Sequence, residues 1–206
     1  MRLRWLAPLA GALMVGCGYN TIQTKDERAA EAKQQIEVQL QRRSDLIGNL
    51  VNTVKRYAEH EEAVFTSVAE ARSRVANAVR SGDPAQLAEA DAQLSGALGR
   101  LIAVAENYPQ LKADQLFLRL QDQLEGTENR IAVARTDYNE AARDYNSYIR
   151  QFPQSLTAKV TGAKARPYFE AAPGAGEAPR VDFSSPTGTS GSNPGGGGAS
   201  GSGPPR

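Results

Sequence analysis

The 206-residue chain has one cysteine and one histidine, and each scarcity excludes something. A solitary Cys17 closes no intrachain disulfide, so an oxidising compartment would add no covalent staple to the fold. His60 opens a run His60-Glu61-Glu62-Ala63-Val64 that starts like a zinc-protease HExxH motif, but Val64 stands where the second ligand is needed. A di-iron bundle draws Glu-x-x-His motifs from two helices, and a single histidine cannot supply them. No metal and no cofactor are therefore expected. Alternating β-branched runs bounded by hairpin turns are missing as well, so strands are not expected, nor is the strand-turn-helix elbow a nucleophilic serine requires. The charge is balanced, 24 Lys+Arg against 23 Asp+Glu, which gives no electrostatic case for nucleic acid. Hydrophobic runs are short: the longest, Trp5 to Val15, is about 11 residues, well below the roughly 20 that span a bilayer.

That short run has a setting. Arg2 and Arg4 precede it, and Met14-Val15-Gly16-Cys17 follows. A basic start, an apolar core and a small residue before a cysteine make up a bacterial lipoprotein signal, in which the cysteine is acylated and becomes the mature N-terminus. Residues 1–16 are read as the signal peptide, Cys17 as the lipidation (palmitate) site and 17–23 as a lipid-anchored linker. Cleavage would leave 22 cations against 23 carboxylates. With Gly18 rather than Asp after the cysteine, the outer membrane is favoured over the inner, facing the periplasm.

Helical periodicity dominates residues 24–153. Thr24-Lys25-Asp26-Glu27 reads as a capping box opening the first helix. From there Ile36, Leu40, Arg43, Ile47, Leu50, Val54, Tyr57, Glu61, Val64, Val68, Ala71, Val75 and Ala78 alternate by four and three, as in a coiled coil. Unbroken from 25 to 80, such a helix would be about 80 Å long. Ser81-Gly82-Asp83-Pro84 supplies a left-handed stop, an N-cap and a first-turn proline. Leu87, Leu94, Leu98, Leu101, Ala105 and Tyr108 mark a second helical stripe, which Tyr108-Pro109 breaks or kinks. A third runs through Phe117, Leu120, Leu124, Thr127, Ile131, Ala134, Tyr138, Ala141, Tyr145 and Tyr148 toward Phe152, where Pro153 ends it. The expected fold is all-α, an antiparallel bundle of three to four long helices. Residues 154–171 are expected to form a short segment docked through Tyr168 and Phe169. From 172 to 206 Gly, Pro, Ser and Ala prevail, so that stretch is expected to be disordered.

Charged residues on an apolar stripe need partners. Arg43 and Glu61 fall on the first seam, Arg72 on its flank, and Glu128 and Arg135 beside the third. Interhelical ion pairs that fix register are the expected explanation, ahead of a carboxylate acid–base site, for which an evenly filled seam offers no cleft. His60 is expected beside the seam, partly covered and bonded to a carboxylate. Tyr138-Asn139 and Tyr145-Asn146 repeat seven residues apart, echoing Tyr19-Asn20. Their tyrosines suit a core with hydroxyls at its rim, and their asparagines suit bridging of backbone groups.

Taken in order, Gly18-Tyr19-Asn20, Ser44-Asp45-Leu46-Ile47-Gly48-Asn49-Leu50-Val51, Tyr57-Ala58-Glu59-His60-Glu61, Ala105-Glu106-Asn107-Tyr108-Pro109-Gln110-Leu111, Glu128-Asn129-Arg130-Ile131, Thr136-Asp137-Tyr138-Asn139 and Tyr145-Asn146 resemble the LemA family. The resemblance covers roughly residues 18 to 170. In one place it departs: Gly48 stands where the family usually has proline, which leaves the bend expected there unenforced. The resemblance implies an envelope protein with an N-terminal anchor or lipid, a long-helix bundle outside the cytoplasm and no established enzymatic activity. One branch of the family resembles proteins needed to form magnetosome membranes. The resulting expectation is a non-enzymatic, lipid-anchored scaffold or interaction module of the bacterial envelope, with unidentified envelope proteins as partners, oligomerisation allowed and no nucleic acid. The alternative is a module binding a small ligand or peptide through the Tyr108-Pro109 region and the Tyr-Asn pairs.

Overall fold

The computed structural model describes residues 6–170, with side chains from Gly18 onward. The Cys17 side chain and the stretch expected to be disordered from 172 lie outside the described residues. Six helices follow in chain order: α1 Leu6–Lys55, α2 Glu62–Ser81, α3 Pro84–Ala105, α4 Pro109–Lys112, α5 Gln115–Tyr148 and α6 Gln154–Thr161. No strand occurs among the described residues.

The expected 25–80 helix is not one rod. Its seam residues are buried as anticipated, from Ile36 through Leu50 and Val54 and again from Val68 to Ala78. Between them, however, the chain leaves the helix at Arg56 and re-enters it at Glu62. Short bonds end α1: Arg56 N–H donates to Thr53 O and Tyr57 N–H to Val54 O. α2 then folds back along α1, so that Arg72 meets Ser44 and Lys33 reaches Gly82. The reversal gives Phe65, Val68 and Val75 a surface to bury against, which a straight extension would not.

The next turn follows its sequence signals closely. Gly82 adopts φ +64, a left-handed conformation that favours glycine, and a Cβ there would come within 2.8 Å of Lys33 Nζ. Asp83 caps α3 by accepting from Ala85 N–H, and Pro84 occupies the first turn. α3 runs antiparallel to α2. Short α4 turns the chain at Tyr108-Pro109, and α5 packs antiparallel along α1. Four helices thus surround a core containing Leu40, Ile47, Leu50, Leu87, Leu94, Leu101 and Ile131. Beyond it α1 and α5 continue as a pair, closed by α6 around a second cluster of Ile22, Tyr145, Ile149 and Ala158.

Three further expectations change. Thr24 is interior to α1 rather than its N-cap; its hydroxyl donates to Asn20 O, one turn back. Residues 18–23 are helical, with Ile22 1% exposed, so the stretch expected as a linker is already part of the packed body. An apolar residue at 22 lies one helical turn from the Asp26 region and carries the buried face of α1 past Thr24. The third helical segment stops at Tyr148, ahead of Phe152.

Candidate interaction site

Three of the charged seam residues join Asp91 in one chain of ion pairs at the middle of the four-helix region, buried at Arg43 and Asp91 and open to solvent at Glu128. Arg43, 4% exposed on α1, donates from Nη1 to Asp91 Oδ1 on α3 at 2.9 Å, and the same nitrogen pairs with Glu128 of α5. The second oxygen of Asp91 accepts from Arg135 Nη2 of α5 at 2.6 Å. The order Glu128–Arg43–Asp91–Arg135 alternates in sign and sums to zero charge. Burial pushes the Asp91 carboxyl above its usual range, and the Arg43 and Arg135 guanidinium groups oppose that shift. With both oxygens engaged, Asp91 is placed to lock three helices in register.

Asp91 was not anticipated, yet its signal is present. It falls four residues after Leu87 and three before Leu94, on the same stripe, as Arg43 does on α1. Of the five anticipated ion-pair residues, Arg43, Glu128 and Arg135 meet here. Arg72 does not. It is half-exposed, donates from Nε to Ser44 Oγ at 3.3 Å and stays 3.9 Å from Asp45 Oδ1. Its guanidinium lies over Gly48, where a Cβ would sit 2.8 Å from Nη1. Helix α1 runs through position 48 without a break, and glycine there leaves space for the Arg72 guanidinium. Glu61 has no ion pair among the described residues. It precedes α2 without a side-chain cap, because the break at 56–61 removes it from the seam. His60 falls in the same break and is exposed, rather than partly covered beside a seam.

A second assembly uses the repeated Tyr-Asn pairs. After α6 the chain runs extended through Ala163–Glu170 and lies along α5. Asn139 donates to Phe169 O and accepts from Phe169 N–H, at 3.0 and 2.8 Å. Asn146 does the same with Arg166, at 2.8 Å in both directions. The match is geometric: seven helical residues advance about 10.5 Å, close to the length of three extended residues. Tyr138 donates to Pro167 O at 2.7 Å and meets Phe169 edge-on with ring centroids 5.4 Å apart. Burial raises the pKa of Tyr138, and of Tyr145 two turns further along α5. Arg166 donates to Asp26 of α1 at 2.7 Å, which raises the guanidinium pKa further. Arg135 lies 5.7 Å from the Phe169 ring, so strap and ion chain share a residue.

The other motif residues do not converge. Tyr19 and Asn20 are exposed near the start of the described side chains. Asp45 and Asn49 are exposed on α1. Glu106, Tyr108 and Pro109 form the corner between α3 and α4, with Tyr108 half-buried. Facing that corner, Asp114 caps α5 by accepting from Leu116 and Phe117 N–H and takes a hydrogen bond from Tyr57 at 2.9 Å. Those bonds lower the Asp114 pKa, and the same carboxylate raises that of the Tyr57 hydroxyl. Among the described residues no cluster of His, Cys, Asp and Glu could hold a metal ion, and no helix is long and apolar enough to cross a membrane.

Residues 32–183 match the LemA family. Magnetosome protein MamQ 2 of Paramagnetospirillum magneticum is 32% identical over 186 aligned positions, covering 79% of this chain and 68% of its own. Magnetosome protein MamQ of Magnetospirillum gryphiswaldense is 30% identical over the same shares. Protein LemA of Metamycoplasma hominis is 25% identical over 133 positions, covering 65% of this chain and 60% of its own.

Proposed function

We propose that this chain, which belongs to the LemA family, is a non-enzymatic helical scaffold held at a bacterial envelope membrane by an acyl group on Cys17. The observation that carries the reading is the packing of α1 immediately after the cysteine. A Cβ on Gly18 would lie 3.6 Å from Gln154 Cγ and Thr157 Oγ1 of α6, and Ile22 is buried one turn later. An anchor at position 17 would therefore hold the whole bundle by its end, with no slack between lipid and rod. The ion chain favours the same reading, because a register-locked bundle keeps its outer faces in fixed relation to one another. Two relatives are magnetosome proteins by name, and a role at a membrane-bounded structure agrees with a tethered scaffold.

The test is the Cys17→Ser variant in the native host. Wild-type protein should take up labelled palmitate and float with membranes, and the variant should lose the label and any envelope phenotype while still folding. In-cell crosslinking of the wild type should then give protein neighbours. An unlabelled wild type in the aqueous fraction contradicts the reading.

One observation favours a second reading, a peptide-binding module. Asn139 and Asn146 already recognise the backbone of an extended segment, and backbone recognition does not depend on sequence. In this fold the chain's own residues 163–170 fill that site.

A further inference from the structure

We infer that the outer face of α6 is a membrane-contact surface, seated in the headgroup region of an anionic bilayer when the anchor is in place. This rests on the tethering of the preceding section and specifies which surface meets the lipid. α6 buries one side, through Thr157 and Ala158, and leaves the other uncovered. On that uncovered side Leu156 and Val160 are one helical turn apart, 54% and 80% exposed, and Phe152 just before the helix is 81% exposed. Large apolar side chains this open are expensive in water unless something covers them.

Position and charge say what the cover is. Gly18 abuts α6 through Gln154 and Thr157, so the residue proposed to carry the acyl group is the neighbour of one packed against this helix. Tyr19, 43% exposed, follows directly. From Ser147 to Phe169 the sequence carries Arg150, Lys159, Lys164 and Arg166 and no carboxylate. Arg166 is held by Asp26; Arg150, Lys159 and Lys164 are exposed. Apolar residues interleaved with cations, at the end of the rod next to the anchor, have the composition of an interfacial segment on anionic lipid. The opposite end of α5 also exposes Leu116 and Leu118, but that end is roughly 45 Å away along the helix at 1.5 Å per residue.

Single-tryptophan probes on the full acylated protein test this. The acylated protein beginning at Cys17 has no tryptophan of its own, since Trp5 leaves with the signal peptide; Val160→Trp and Leu118→Trp are reconstituted into vesicles of phosphatidylethanolamine and phosphatidylglycerol, with and without brominated acyl chains, and recovery by flotation is scored. The expected result is flotation of both, with the probe at 160 blue-shifted and quenched several times more by brominated lipid than the probe at 118. Exchanging phosphatidylglycerol for phosphatidylcholine should reduce the difference. If both proteins float and the two probes are quenched alike, the contact surface is refuted while tethering stands. A probe at 160 that shifts with protein density and ignores brominated lipid means that a second copy covers the face, which also overturns the inference. Failure to float refutes tethering itself, and the inference falls with it.

Discussion

Removing Asp91 perturbs the bundle at its most connected charge. Asp91→Ala leaves Arg43, 4% exposed, with only Glu128, and strips Arg135 of its partner. Both arginines already have an Nε without a hydrogen-bond partner, so little local rearrangement can absorb the loss. Breaking a buried charge pair by deleting one member costs about 3–5 kcal/mol, chiefly for the charge left behind. Domains of this size unfold with about 5–15 kcal/mol, so the variant should lose about a fifth of its stability or more. At roughly 2–4 °C per kcal/mol, its Tm should fall by about 6–20 °C. Urea unfolding followed by helical circular dichroism measures this directly. A second variant separates charge from packing: Arg43→Met with Asp91→Leu and Arg135→Met removes the three less exposed charges together and leaves only Glu128, whose side chain is half in water; it should recover most of the loss, since burying an ion pair seldom improves on apolar packing. An Asp91→Ala protein within about 0.5 kcal/mol of wild type, the range of an unremarkable surface change, refutes the reasoning. So does a triple variant less stable than Asp91→Ala.

Other outcomes follow from the same contacts. Glu128→Gln should cost less than about 1 kcal/mol in urea titration, because the Glu128 side chain is 53% exposed and water screens what it loses. Asn146→Ala removes both bonds to Arg166 and should cost about 1–3 kcal/mol, at about 1 kcal/mol per bond. Hydrogen exchange at the Arg166 amide should rise sharply, and an unchanged rate there would contradict the clamp. Gly48→Ala should stabilise by about 0.5–1 kcal/mol through helix propensity, since the neighbour it displaces is the mobile end of half-exposed Arg72; a Tm drop would show that the guanidinium is not free to move. The lowered pKa of Asp114 gives a pH dependence of fixed sign. Its stabilisation is complete above the ordinary carboxylate range near about pH 4 and is lost as pH falls through the depressed folded value. Asp114→Asn should flatten that acid limb while keeping a capping side chain; an unaltered acid limb would remove Asp114 from the account.

Much of this was readable before the structure because local chemistry and packing agree. Gly82, Asp83 and Pro84 occupy the three positions their backbone preferences dictate. Arg43 on an apolar stripe announced a buried partner, although the partner, Asp91, needed the α3 stripe to be read with the same suspicion of a charge between two leucines. The pairing of Asn139 and Asn146 with backbone groups was legible in kind, but not in target, because a seven-residue repeat says nothing about which distant segment it receives. The break at 56–61 was not legible. Arg56-Tyr57-Ala58-Glu59-His60-Glu61 has no glycine or proline, and the heptad phase runs across it undisturbed. Only burial of Phe65 and Val68 against α1 makes reversal more favourable than continuation, and that is a tertiary effect. The start of the bundle was misplaced for a related reason. Thr24 and Glu27 have the spacing of a capping box, but Ile22 has a partner surface on α5 and α6, and burial there continues the helix through Thr24.

Whether Cys17 is the acylated first residue can be read from the mass of the N-terminal peptide of protein extracted from native membranes. The expected peptide begins at Cys17 and carries glyceryl-linked fatty acyl chains. A peptide with a free Cys17 thiol, or one that still continues back into residues 1–16, would contradict acylation at Cys17.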